Sequence, residues 1–333
     1  MPSAARDEPL PTGEALARLI GPETVRRFSD ELSSLGYEGG PVAVAVSGGP
    51  DSTALLLLAA AAAGGMIEAA TVDHGLRPGS AAEAAQVSRL CGRLGVRHAT
   101  LSVTIPKMRG GLQAGARMAR YSALQEWCKT RWLLVAHHRD DVAETLLMRL
   151  ARGSGVHGLA RMRQRWRYEP DDITVLRPLL AWSKADLLGI CARAGIETIR
   201  DPSNMDERFD RTAARSVLAK APWLDPKRLY RSATNLAEAE IALEWLAERC
   251  WGERAVVHGG EGEIEIDAVG LPHETKRRLV ERVMRRFAGH DPDRQVETLI
   301  AMLERGEYAM LGDVQAIPGR VWRFRRAPPR RPG

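Results

Sequence analysis

With 333 residues, a net charge of +6 and a sequence pI near 9.4, the chain is long enough for two domains with a large core, and its basic surplus suits a polyanionic partner. Its four cysteines (Cys91, Cys128, Cys191, Cys250) are scattered without a C-x-x-C pair, which speaks against a zinc ribbon or disulfide scaffold and for reduced, buried thiols. The N-terminus lacks the apolar core of a signal peptide, and the longest apolar run, residues 54–63, is too short to span a bilayer. These features predict a soluble, cytoplasmic protein with no membrane segment.

In chain order, residues 1–40 read as an N-terminal extension and helix. Val42 to Val46 is a run of small and branched apolar residues that leads straight into Ser47-Gly48-Gly49-Pro50-Asp51-Ser52-Thr53 and then an Ala/Leu helix. A buried parallel strand, a tight glycine turn and a helix N-terminus make an anion site from backbone N–H groups and the helix dipole. The hydroxyls of Ser47, Ser52 and Thr53 are expected to add donors. A Walker A loop needs Gly-Lys followed by Ser or Thr, and the lysine is missing. The pattern instead resembles the PP-loop of ATP pyrophosphatases, which split ATP between its α- and β-phosphates.

Strand and helix signals then alternate. Residues 66–72 read as a strand, and 80–94 as an amphipathic helix with Ser80 as its cap. A strand over 98–103, a helix over 113–129, a short strand over 132–136 and a helix over 139–150 follow. Such β-α units predict an α/β fold, a doubly wound parallel sheet with its ligand crevice at the strand C-termini. The polar clusters 47–53, 73–77 and 137–141 each follow a strand and should converge there. Beyond residue 216, a long helix over 226–253, a hairpin over 256–267, helices over 274–287 and 294–305 and strand-like segments over 308–324 predict a smaller α+β domain.

Several constellations carry chemistry. Asp73, His74 and Arg77 offer a carboxylate, an imidazole and a guanidinium at one strand end. In His137-His138-Arg139-Asp140-Asp141-Val142-Ala143-Glu144, Asp141 and Glu144 are three apart on one helical face. Two such carboxylates can hold Mg²⁺ or grip an ammonium group. Arg117 and Arg120 share a helical face, and Arg152-Gly153-Ser154-Gly155 either binds phosphate or caps a helix. Of the 48 basic residues 42 are arginine, so their distribution says more than their total. Arginines interleave with Trp166 and Tyr168, and the last fourteen residues carry six arginines with Trp322 and Phe324. Such patches either meet RNA through guanidinium forks and stacked aromatics or are solvated edge strands and a loose tail.

The motifs S-G-G-P-D-S, V-D-H-G-L-R, A-R-M-A-R-Y, A-H-H-R-D-D-V-A-E-T, R-G-S-G, R-P-L-L and D-P-S-N occur in this order. Together they resemble the tRNA(Ile)-lysidine synthetase family, closely over 41–215 and more loosely beyond, through L-G-D-V-Q-A near Leu311. The resemblance implies a short form without the last C-terminal domain of longer members. It implies a PP-loop catalytic domain over 41–215, a tRNA-binding domain over 216–320 and a basic Pro/Arg tail over 321–333. The implied reaction adenylates the wobble cytidine of the isoleucine tRNA with a CAU anticodon, using ATP and Mg²⁺. Free L-lysine then displaces AMP to give lysidine.

By the same resemblance, Ser47, Gly48, Gly49, Pro50, Asp51, Ser52, Thr53, Asp73, His74 and Arg117 would bind ATP, with Asp51 facing Mg²⁺. Asp141, Glu144 and Arg120 would bind lysine, and Asp51, His137, Asp141 and Glu144 would be catalytic, His137 either positioning ATP or accepting a proton. Arg152, Arg211 and Arg215 would meet tRNA. The family pattern after D-P-S-N usually reads Arg-Asn-Arg-x-x-Arg, whereas this chain has Arg211-Thr212-Ala213-Ala214-Arg215. A related tRNA thiolase is the rival reading, though its cluster or catalytic disulfide needs paired cysteines. A homodimer is left open.

Overall fold

The structure, a computed structural model, describes residues 8–63, 66–75, 79–106, 111–160, 162–168, 173–199, 210–259, 262–288 and 295–327. The 76–77 part of the second polar cluster and the D-P-S-N motif lie outside them. Two compact units divide the chain, Met1–Leu236 and Ala237–Gly333.

In the first unit β1 (Val42–Ala45), β2 (Ile67–Asp73), β3 (Arg97–Ser102), β4 (Trp132–Leu134), β5 (Arg165–Tyr168) and β6 (Ile173–Leu176) form one sheet ordered β3-β2-β1-β4-β6-β5. All neighbours pair in parallel except the edge strand β5, which is antiparallel to β6. The period-2 alternation of β1 separates two cores, for Val42 and Val44 point into one and Ala43 into the other. Against the first pack α1 (Gly13–Ile20), α2 (Pro22–Ser34), α3 (Pro50–Ala62), α4 (Ser80–Arg93) and α8 (Lys184–Arg193). The second is covered by α5 (Gly111–Trp127) through Leu124. Helix α3 is buried from Ser52 to Ala61, which is why its sequence is apolar all round rather than striped.

The remaining helices of this unit build the wall beside the strand ends. Helix α6 (Arg139–Leu150) is followed by the short α7 (Val156–Leu159) and later by α9 (Asp210–Lys220) and α10 (Pro226–Arg254). Val142 and Leu146 of α6 share a small core with Leu180 and Ala233. The division between units therefore falls inside α10. Ser80 does not cap α4, because Gly79 holds the cap position and the Ser80 hydroxyl bonds to the Asp73 carboxylate instead.

The second unit holds a five-stranded antiparallel sheet, β7 (Ala255–His258), β8 (Glu263–Ile266), β9 (Ala309–Leu311), β10 (Val314–Ile317) and β11 (Trp322–Arg326), ordered β7-β8-β11-β10-β9. Helices α11 (His273–Ala288) and α12 (Gln295–Glu304) share its core. For Trp322 and Phe324 neither alternative holds, stacking on RNA or a solvated edge strand. Residues 322–326 form the central strand, and Trp322 and Phe324 are buried between that sheet and its helices. Within that strand Arg323, Arg325 and Arg326 are exposed. Trp166 likewise is not a free stacking platform, being half-buried edge-on to Tyr121 and covered by the Arg177 guanidinium.

One ion-pair network ties α10 to α11 inside this unit. Arg278 donates to Glu240 at 2.6 and 3.0 Å, with both side chains buried, and also reaches Glu244 and Glu274. Glu240→Gln removes the buried charge opposite Arg278 while the two outer carboxylates stay. The expected loss is about 2 kcal/mol of stability, read as a lower denaturant midpoint of the second unit's transition.

Candidate active site

The order β2-β1-β4 sets three parallel strand ends side by side, so the loops that follow them share one edge. After β1 the chain turns through Gly48, with φ +82°, and enters α3 with Gly49 at the cap and Pro50 at the first helical position. Gly48 is required twice. Its positive φ disfavours any side chain, and a Cβ there would overlap Ile199 Cδ1, whose own backbone N–H donates to the Gly48 carbonyl at 2.9 Å. Gly48→Ala is expected to weaken ATP binding about tenfold, since left-handed backbone costs a residue with Cβ about 1–2 kcal/mol. Calorimetric ATP titration checks this, and Ile199→Ala in the same chain should recover the part due to overlap.

The loop hydroxyls bond within the loop, Ser47 Oγ lying 3.1 Å from Ser52 Oγ. Ser52 Oγ donates to Gly49 O (3.1 Å) and accepts from the Ser47 N–H (3.1 Å), while Thr53 Oγ1 donates to Gly48 O (3.3 Å). Both side chains are buried; Ser47 is exposed. Pro50 has no N–H and the Thr53 N–H donates to Gly49 O at 3.0 Å, which leaves the N–H groups of Asp51 and Ser52 as the first-turn donors an anion could meet.

Asp51 in that first turn meets the loop after β4. His138, the cap residue of α6, accepts the Asp140 N–H on Nδ1 (3.3 Å), and Asp141 returns a carboxylate to the His138 N–H (3.0 Å). With Nδ1 accepting, the proton of the neutral ring lies on Nε2, 3.5 Å from Asp51 Oδ2. Burial alone would lower the His138 pKa, but Asp51, Asp141 and Asp140 together raise it. Burial would likewise raise that of Asp51, yet His138, Lys184 and Arg215 hold it low. Asp51 is therefore ionised, and its Oδ1 is buried without a partner. An orphaned, charged oxygen beside a phosphate loop fits a divalent cation. Among the described residues no group of three His, Cys, Asp or Glu side chains could hold a metal by itself.

Asp141 and Glu144, both buried, face α9. Arg211 donates to Asp141 Oδ1 at 2.8 Å and to Glu144 Oε2 at 2.7 Å, and Arg215 donates to Glu144 Oε1 at 2.5 Å. Arg211 and Arg215, expected at the RNA, thus lie on the carboxylates expected to bind lysine. Asp140 points elsewhere, accepting the Lys184 N–H at 3.0 Å. His137 Nδ1 accepts from Arg177 Nε at 3.2 Å. The guanidiniums of Arg117 and Arg120 act on it electrostatically, and Arg120 also on His74. His74 has both ring nitrogens buried without partners, and Asp73 binds the Gly75 N–H of its own turn at 2.9 Å. Arg152 is exposed in the turn that ends α6.

Sequence reasoning passed over three of these residues. His138 stood in a noted motif without a role, although the acid three residues later, Asp141, occupies the position that closes a capping box. Arg177, a basic residue directly after the buried strand Ile173–Leu176, was quoted only within R-P-L-L. Lys184 carried no signal.

A phosphate loop without lysine at the switch of a parallel sheet, backed by an ionised carboxylate, defines an ATP-using enzyme of the PP-loop class. The sequence profile of the PP-loop domain family ATP_bind_3 matches residues 22–221. The fold is similar to the U34-tRNA thiolase NcsA from Methanococcus maripaludis, with a TM-score of 0.54 and 18% identity over 66% of this chain and 80% of that one. Closer in sequence are tRNA(Ile)-lysidine synthases. That of Zymomonas mobilis subsp. mobilis is 39% identical over 95% of this chain and 98% of its own. That of Novosphingobium aromaticivorans is 42% identical over 88% and 90%. The chain belongs to the tRNA(Ile)-lysidine synthase family. No helix among the described residues is long and apolar enough to cross a membrane.

Proposed function

We propose that this enzyme converts the wobble cytidine of the CAU-anticodon isoleucine tRNA to lysidine in the cytoplasm, in two steps at the crevice. In the first, the cytosine C2 oxygen attacks the α-phosphorus of ATP and pyrophosphate leaves. The PP-loop from Ser47 to Thr53 binds the departing phosphates through backbone N–H groups, and Arg117 neutralises charge on the nucleotide. Asp73 and His74, at the neighbouring strand end, contact the nucleotide. Asp51 would hold Mg²⁺ through its free oxygen, and the ion would spread the phosphate charge.

In the second step the ε-amine of lysine attacks C2 and AMP departs with the former C2 oxygen. Asp141 and Glu144 bind the ammonium, and one of them takes the proton that must leave before attack. Arg120 meets the lysine carboxylate. The observation that supports this reading is a pair of buried carboxylates, each met by guanidinium N–H donors, beside a phosphate loop on the same sheet edge. Lysine binding requires Arg211 and Arg215 to share or leave these carboxylates, and any contact they make with tRNA requires the same.

A thiolase reading finds no support in the thiols. Cys91 and Cys191 are buried and pushed up to about 12, and all four cysteines are free and buried. The second unit, with Arg323 and Arg325 exposed on one sheet face, takes part in tRNA binding together with Arg152. The deciding experiment is transfer of labelled lysine to an isoleucine CAU transcript with ATP and Mg²⁺, beside a methionine tRNA control. Incorporation into the isoleucine transcript alone is the expected result. Pyrophosphate release without lysine incorporation would move the chain to another PP-loop activity.

A further inference from the structure

His137 stands between β4 and the α6 cap, and its Nδ1 is occupied by a group that can only donate. A guanidinium has five N–H donors and no acceptor. The bond from Arg177 Nε to His137 Nδ1 therefore requires Nδ1 to carry no proton, which leaves the proton of the neutral ring on Nε2. Arg177 has little freedom to give this up. Its Nη1 donates to the Arg163 carbonyl at 2.6 Å, and its backbone N–H donates to the Gln164 carbonyl at 2.8 Å. Its guanidinium lies 4.0 Å over the Trp166 ring, and Trp166 is pinned edge-on by Tyr121. Only 4% of Arg177 is exposed, so this arrangement is built into the wall of the site.

Burial and the charges of Arg177, Arg117, Arg211 and Arg120 all disfavour the imidazolium and hold the His137 pKa well below its ordinary value. Those guanidiniums come from α5, α9 and the segment after β6, and together they make a setting for an anion. We propose that His137 serves as a fixed, neutral Nε2–H donor to a phosphate oxygen of the nucleotide during adenylyl transfer, with Arg177 as the positioning residue that sets its tautomer. The identity of the nucleotide step rests on the function proposed above. The ring then has no lone pair for the lysine proton unless it breaks the Arg177 bond. That proton goes to Asp141 or Glu144, and His137 is not the base.

Long-range ¹H–¹⁵N correlation spectra of the whole protein, labelled at its histidines, read the tautomer directly, with His137 assigned by comparison with His137→Gln. A proton on Nε2 alone, persisting as the pH falls below the ordinary histidine range, is expected. A proton on Nδ1, or an imidazolium at neutral pH, would overturn the proposal. Kinetics of pyrophosphate exchange with the tRNA give a second readout. His137→Gln, which returns an N–H donor near the Nε2 position, should stay within about tenfold of wild type, whereas His137→Asn should lose about 10²-fold. Equal losses would contradict a donor role.

Arg177→Met removes the donor held on Nδ1, so the ring should populate the Nδ1–H tautomer, which cannot donate from Nε2, and the same spectra read this directly. Arg177→Lys, keeping a donor, should retain more of the Nε2–H form, and an unchanged tautomer in Arg177→Met would sink the positioning role. Failure of wild-type lysine transfer with an Nε2–H ring would overturn the functional reading and leave the tautomer assignment. Transfer with an Nδ1–H ring would do the reverse.

Discussion

Glu144→Gln is expected to lower kcat/KM for lysine by about 10²- to 10³-fold, equivalent to about 3–4 kcal/mol, while pyrophosphate exchange with the tRNA falls far less. Glu144 is 3% exposed and uses both oxygens on Arg211 and Arg215. Its amide replacement keeps the shape, removes the charge and turns one acceptor into a donor facing two guanidiniums. A cationic amine entering this site then meets net positive charge from Arg211 and Arg215 without the offsetting carboxylate. Asp141→Asn should show the same selectivity with an added stability loss, because Asp141 Oδ2 also caps α6 through the His138 N–H. Separate measurement of exchange and of labelled lysine transfer makes the comparison. Unchanged lysine kinetics in both variants would remove these carboxylates from the lysine site.

Ending the chain after Arg320 is expected to unfold the second unit, whereas ending it after Ala327 leaves that unit folded. Strand β11 sits between β8 and β10, so its loss opens both ladders and leaves their N–H and C=O groups unpaired. It also removes Trp322 and Phe324 from the core. Truncating either aromatic to Ala alone would cost about 3–5 kcal/mol, and a domain of this size has about 5–15 kcal/mol in total. Circular dichroism melts and limited proteolysis of the two truncations decide the matter, and a cooperative second transition in the shorter chain would refute it. The charges must be tested by substitution instead. Arg323→Gln with Arg325→Gln should reduce the salt slope of tRNA binding by about 1–2 if both meet phosphate.

Much of the first unit could be read from local pattern. Helix α6 begins and ends where the sequence places it, at Arg139 and Leu150, because its cap and acidic first turn are adjacent in the chain. Strand β1 and the glycine turn after it were legible for the same reason: a run of small apolar residues, then the two glycines that let the backbone turn. In the second unit the alternation in Glu263–Ile266 marked a strand, with Ile264 and Ile266 on the buried face.

What stayed hidden depends on partners distant in sequence. Arg211 and Arg215 lie 67 to 71 positions from the carboxylates they bind, and nothing in an Arg-rich composition singles them out. Arg177 meets His137 across 40 positions, and Arg278 meets Glu240 across 38. The arginines of β11 looked like a loose basic tail because alternation of Arg with Trp and Phe is shared by an RNA-binding patch and a half-buried strand. Pairing with β8 and β10 decided between them. The sequence by itself determined the phosphate turn, the parallel α/β core and the helix bearing Asp141 and Glu144, since each is set by backbone sterics and short-range periodicity. Only the tertiary structure decided which cations those carboxylates face, which nitrogen of His137 holds its proton and which hydroxyls of the loop turn inward, because hydrogen bonds between distant side chains exist only once the chain has packed.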